Sequence, residues 1–163
     1  MNKNDFIPIC HELNQLLESW KPRLLAMPPA LILERRNSQK RNIKQIVGHM
    51  VDSASNNTHR IVHLQYRESP LRFPNYAIDG NNDRWIAIQD YESEDWQNLV
   101  KLWKYANLHI IHVMGNVDAT KLENQWHYDD HTLISLRDGI VDYLRHFKLH
   151  LDEITELENM NGN

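Results

Sequence analysis

Cysteine is almost absent: Cys10 stands alone among 163 residues. A disulfide framework within the chain is excluded, and a reducing compartment is the expectation. Long apolar runs are missing too. None approaches the roughly 18 residues that a membrane span requires, so no membrane partner is expected. The N-terminal stretch MNKNDFIPICHELNQLL lacks a continuous apolar core and a small-residue cleavage site. It does not read as a signal peptide, and a cytoplasmic protein is expected. Positive charge is not in excess: 18 Lys and Arg stand against 22 Asp and Glu, a net charge of −4. No global field favours nucleic acid or an anionic membrane surface. No basic stripe with interleaved aromatics marks a nucleic-acid binder either. The one basic run, Arg35, Arg36, Lys40, Arg41 and Lys44, reads as a solvated loop. Glycine is scarce, at five residues, and the six prolines are confined to the start, the end of the first amphipathic stretch and a central loop.

Between these breaks the apolar residues recur at helical spacing. A first helix is predicted over 6–27, with Ile9, Leu13, Leu16, Leu17, Leu24 and Leu25 inward, and with Pro22 as a kink or break. A second is predicted over 43–66, opened by a capping box of Asn42 and Gln45. Residues 68–90 read as a long irregular loop, holding Pro70, Pro74 and Gly80. A third helix follows Ser93 and ends near Asn116, with Glu94 and Asp95 at its positive end. A fourth starts after Ser135, with Asp138 completing a second box, and runs to about Leu157. No strand-type alternation extends beyond a few residues. The prediction is an all-α four-helix bundle forming a single domain over 1–163, with a long central loop between the second and third helices. A loop of that length usually has a task, such as rimming a site or a dimer contact.

Ten histidines provide the chemistry. Three pairs stand one turn apart: His59/His63, His127/His131 and His146/His150. Random placement would give roughly half a pair, so position on the helix must decide among them. On the fourth helix Leu136, Ile140, Leu144, Phe147, Leu151 and Ile154 form an apolar arc. Tyr143 and His150 lie at its edge and His146 just beyond. On the second helix Ile43, Ile46, Val47, Met50, Ala54 and Ile61 form the arc, flanked by His49, Ser53, Asn57 and Arg60. His59 and His63 point to water, and His127 and His131 lie in a polar stretch where nothing fixes their geometry. Three imidazoles from two packed helices, His49, His146 and His150, can hold one divalent metal and leave positions open for water and substrate.

The segment IKQIVGHMVDSASNNTHR at 43–60 resembles the Ile-Lys-Glu-Ile-x-Gly-His-Leu-x-Asp-Ser signature of DinB/YfiT-like proteins. The segment DYLRHFKLHLDEI at 142–154 resembles their closing His-x-x-x-His helix. Helix count and order agree over essentially the whole chain. The resemblance implies a four-helix bundle of the DinB/YfiT-like type, a homodimer, and nickel or zinc on His49, His146 and His150. Some relatives look like thiol-S-transferases that use low-molecular-weight thiols such as bacillithiol or mycothiol. Others have been read as metal-dependent hydrolases. Leu149 and Leu151-Asp152 depart from patterns seen in many relatives, next to the last ligand, and weaken any transfer of substrate specificity.

Donor chemistry agrees with the metal assignment. Neutral imidazoles suit zinc, nickel, iron or copper better than magnesium or calcium. Such a centre serves either transfer of a thiol to a small electrophile or hydrolysis by water bound to the metal; the alternative is a non-catalytic, stress-linked binding protein on the same fold. Four residues are candidates for support. Asp52, one turn from His49, points more towards water but could orient a ligand. Ser53 and Asn57 share the His49 flank and could touch a small-molecule substrate. Asn107 lies within the apolar arc of the third helix, where a buried amide must be paired. It reads as a structural pair first and a substrate contact second. Gly139 lies on the inner side of the fourth helix and leaves room for a ligand or for close packing.

Overall fold

The computed structural model describes residues 3–160. In chain order it contains a 3-10 turn at Lys3–Phe6, α1 (Ile7–Leu25), α2 (Pro29–Glu34), α3 (Ile43–Tyr66), α4 (Asn81–Gln89) and α5 (Trp96–Gly115). A second 3-10 turn at Ala119–Lys121 leads into β1 (Gln125–His127), β2 (Leu133–Ser135) and α6 (Leu136–Asn159). Four long helices, α1, α3, α5 and α6, make the bundle, so the fold is the all-α four-helix type expected.

Local chemistry sets the helix starts. At α3 the Asn42 side chain accepts from Gln45 N–H at 2.9 Å, while the Gln45 side chain accepts from Asn42 N–H at 3.1 Å. This capping box satisfies two donors that the first turn leaves unpaired. Asp95 caps α5 by accepting from Asn98 N–H, and Ser135 caps α6 by accepting from Asp138 N–H. Pro22 sits inside α1 without ending it. The helix runs on for three residues to Leu25, short of the predicted Met27, and the Ala26 N–H closes on the carbonyl of Pro22.

Three short elements were not predicted. Helix α2 is a single turn and a half between Pro28 and Arg35. Helix α4 lies inside the segment expected to be irregular; it buries only Ile86, so it carries almost no apolar periodicity. Its approach needs positive φ at Asp79 (56°) and Gly80 (72°). The hairpin pairs Gln125 with Ser135, Trp126 with Ile134 and His127 with Leu133. Strands of three residues are too short to show alternation. A bridge from Leu71 to Trp126 ties the central loop to this hairpin.

Helix α3 packs against α5 and α6, and α1 against α5. The apolar arcs predicted for α3 and α6 face one core, which includes Ile46, Met50, Trp103, Ile110, Ile140, Phe147 and Ile154. Trp103 and Phe147 stack there with ring centroids 5.8 Å apart. The first half of α3 is covered on every side: from Arg41 to Ala54 only Gln45 is not buried. The cover on the side away from the core is the 67–95 segment, which folds over its own chain.

The basic run does not behave as a solvated loop. Arg41 (6% exposed) pairs with Asp83 at 2.7 Å, and Lys44 (8% exposed) donates to the Glu92 carbonyl at 2.9 Å. Arg36 pairs with Glu92, and Arg35 donates to the Leu157 and Glu158 carbonyls near the end of α6. These cations hold the 67–95 segment and the end of α6 in place.

Candidate metal centre

Helices α3 and α6 bring His49, His146 and His150 together. One ring nitrogen from each lies within 4.8 Å of the others. Among the described residues this is the group of three His, Cys, Asp or Glu side chains placed to hold a metal ion. Ring centroids are 4.7 Å apart for His49 and His150, 5.6 Å for His49 and His146, and 4.4 Å for His146 and His150. The Nε2 atoms of His146 and His150 face each other at 3.0 Å.

The site is built for neutral imidazoles. His49 is 2% exposed. Burial first, then the two neighbouring histidines, lowers it from the ordinary 6.5 to about 2. Burial and His150 lower His146 to about 4. Unprotonated rings keep a lone pair for a ligand. His49 Nδ1 is buried and has no hydrogen-bond partner among the described residues, and an orphaned buried donor or acceptor of this kind invites a ligand. The other two rings are oriented from behind. The Glu153 carboxylate accepts from His150 Nδ1 at 3.0 Å, and Ser53 Oγ lies 3.4 Å from His146 Nδ1. A proton held on Nδ1 leaves Nε2 as the donor atom towards the centre. Burial raises the Glu153 carboxyl, but its bonds to His150 and Asn37 bring it below the usual carboxylate range.

The supporting candidates take different places. Asp52 does not point to water. It is 2% exposed, and its Oδ1 accepts from Gln89 Nε2 and from Tyr91 O–H, both at 2.6 Å. The reason is the 67–95 segment, whose presence over that face of α3 no single-helix periodicity can reveal. Burial raises the Asp52 carboxyl against the lowering effect of these two bonds. Ser53 touches His146, and Asn57 Nδ2 donates to Ser53 Oγ at 3.3 Å. Asn107 is fully buried and spent inside the core. It donates to the Trp103 carbonyl at 2.8 Å and accepts from Tyr143 O–H at 2.6 Å. His59 is exposed, and half-buried His63 meets Tyr66 O–H at 2.6 Å. His127 ends β1 and His131 lies between the two strands of the hairpin; neither belongs to the three-histidine group.

A cavity of about 480 Å³ opens beside His146. Ser53, Asn57 and Arg60 line it from α3, Gly139 and Tyr143 from α6, Tyr76 from the central loop and Trp126 from the hairpin. Several of these residues escaped prediction. Tyr76, whose ring lies 6.0 Å from that of His49, and Trp126 sit in segments without periodicity. Glu153 did leave a signal, since it stands three residues from His150 on one helix face.

The described chain is similar in fold to a solved structure. That protein is YfiT from Bacillus subtilis, described as a probable metal-dependent hydrolase with an unusual four-helix bundle topology. The two superpose with a TM-score of 0.73 over 91% of this chain and 85% of YfiT, at 20% sequence identity. The fold is YfiT-like. No protein-family model matches the sequence, and no curated protein does. No helix among the described residues is long and apolar enough to cross a membrane.

Proposed function

We propose that this protein is a divalent-metal-dependent hydrolase of a small molecule, with the metal on His49, His146 and His150. The observation that carries the reading is the convergence of three imidazoles, buried His49 and His150 and half-buried His146, beside an open cavity, with burial lowering the pKa of His49 and His146. The donor set fits zinc or nickel, and it leaves coordination positions free, as catalytic sites do. A divalent ion held by His49, His146 and His150 would supply Lewis-acid activation of water and of a substrate carbonyl.

The chain's own residues do the rest. Glu153 fixes the tautomer and ring plane of His150, and Ser53 steadies His146. Buried Tyr76 of the central loop packs near His49, which is itself buried. Asp138 and Asp142 are the carboxylates on the cavity wall. Both are exposed; one is bonded to Ser135 and the other to Arg145. The similarity to YfiT favours hydrolysis. Transfer of a low-molecular-weight thiol, implied by the family resemblance, would use the same three histidines, and no cavity residue speaks for a thiol in particular.

The test is metal content by elemental mass spectrometry on untagged protein, beside His146→Ala and His59→Ala. Near-stoichiometric metal, lost in His146→Ala and kept in His59→Ala, is the expected result. No uptake after incubation with zinc, nickel or ferrous iron sinks the enzyme reading and leaves a non-catalytic bundle.

A further inference from the structure

Among the described residues Arg60 is a buried cation without a counter-ion. It is 8% exposed, and its hydrogen bonds among the described residues go to neutral amide oxygens: Asn57 Oδ1 at 3.3 Å and Asn75 Oδ1 at 3.0 Å. Its guanidinium lies 4.1 Å from the centroid of Trp126 and 5.3 Å from that of Tyr76. Cation–π contacts with these rings offset part of the desolvation cost. Stripping a charge of water normally demands an ionic partner. A guanidinium carries five N–H donors, and two carry the bonds above, so donors remain at its edge. Burial lowers the Arg60 guanidinium, an effect only partly opposed by Tyr76 and Tyr128.

Arg60 also belongs to the cavity that opens at His146. A polar ladder connects the two along α3: Arg60 donates to Asn57, Asn57 donates to Ser53 Oγ, and Ser53 Oγ meets His146 Nδ1. Ser53 and Arg60 are two turns apart, or about 10 Å of helix. Around this polar edge the walls are apolar or aromatic: Ile61, Leu64, Trp126, Ile134 and Leu136. The rim carries the acids Asp138 and Asp142 together with Arg145, which pairs with Asp142 at 2.5 Å, so Asp138 is the rim charge that Arg145 does not offset.

We infer that Arg60 anchors the carboxylate of the substrate, which is a small carboxylic acid with an apolar or planar body whose far end reaches the His146 edge of the three-histidine group. This inference rests on the cavity being the substrate site of the centre proposed above. An arginine fork matches a carboxylate with two parallel hydrogen bonds. The single negative charge suits a cavity whose one buried cation is Arg60.

The test uses metal-stripped protein, because a carboxylate could otherwise bind through the metal. Calorimetric titration compares 3-phenylpropionate, its neutral amide 3-phenylpropanamide, and phenyl phosphate. The expected result is an acid bound about tenfold or more tightly than the amide, with the preference lost in Arg60→Met and partly kept in Arg60→Lys. Arg60 also ties α3 to the loop and the hairpin, so Arg60→Met could fail to fold. Gly139→Leu is the second variant: it keeps Arg60 and fills a wall position where an added Cβ meets nothing within 4 Å. It should weaken binding of the acid with the helical circular dichroism unchanged. Equal binding of acid and amide overturns the inference, as do no binding of the acid at millimolar concentration, tighter binding of phenyl phosphate, a preference that survives Arg60→Met, or undiminished acid binding by Gly139→Leu. Metal uptake is scored separately. Protein that takes up zinc but shows no acid preference refutes the role of Arg60 alone; protein that shows the preference but takes up no metal refutes the centre alone.

Discussion

The ring of Tyr91 lies directly over Gly48, where an added Cβ would come within 2.2 Å of it, and the Tyr91 hydroxyl donates to Asp52 one turn along the same helix. The glycine lets the ring approach, and the approach lets the hydroxyl reach the buried carboxylate. Gly48→Ala therefore reverses the usual rule. Alanine in a helix interior normally gains about 1 kcal/mol over glycine. Here the atoms in the way are at the base of the ring, so overpacking should win and cost roughly 1–3 kcal/mol. Urea denaturation decides it, and a neutral or stabilised variant would refute the packing role.

Gly139 gives the opposite expectation. A Cβ there meets nothing within 4 Å, and the residue lies on the cavity wall in the second turn of α6. Gly139→Ala should stabilise the fold by about 0.5–1 kcal/mol. A stabilising substitution at this position means that the glycine serves the cavity rather than the bundle. Thermal melts of Gly48→Ala and Gly139→Ala side by side should move in opposite directions, and a shared direction would refute one of the two assignments.

What could be read from the sequence follows from what periodicity measures. The arcs of α3 and α6 depend on many residues each, and they place His49, His146 and His150 on facing flanks. Capping at Asn42 and Ser135 is local chemistry, so the starts of those helices are legible too. Asp52 was misplaced because a helical arc reports only the strongest apolar side, whereas α3 is also covered by a segment some forty residues on. Tyr76, Trp126 and Tyr91 come from loop and hairpin residues whose positions are set by tertiary contacts. Gly48 was the one visible hint of Tyr91, since a helix-interior glycine implies close approach of something.

Glu153→Gln tests the orientation of His150. The amide is close in size to the carboxylate but can turn a donor towards Nδ1, and it removes the charge that favours a proton there. Metal affinity should fall about 10–100-fold, the usual range for loss of such a partner. Competition with a chromogenic chelator measures it. Affinity equal to wild type would show that Glu153 does not orient the ring.

Acid should destabilise the metal-free protein, and the sign follows from the rings of buried His49 and half-buried His146. His49 and His146 titrate near 2 and 4 in the fold, against 6.5 when exposed. Below 6.5 the unfolded chain therefore binds protons that the folded chain refuses, so stability is full above that pH and is lost as the pH falls towards the folded values. Each ring contributes a slope of up to about 1.4 kcal/mol per pH unit in that window. Asp52, whose carboxyl is raised, acts with the opposite sign at the acid end, so the clearest interval lies between pH 7.5 and 5. Urea midpoints of chelator-treated protein should fall across that interval, with a shallower fall in His49→Gln. A flat profile in the wild-type protein would mean that the rings are already solvated and that the site is not the dry, neutral cluster described above.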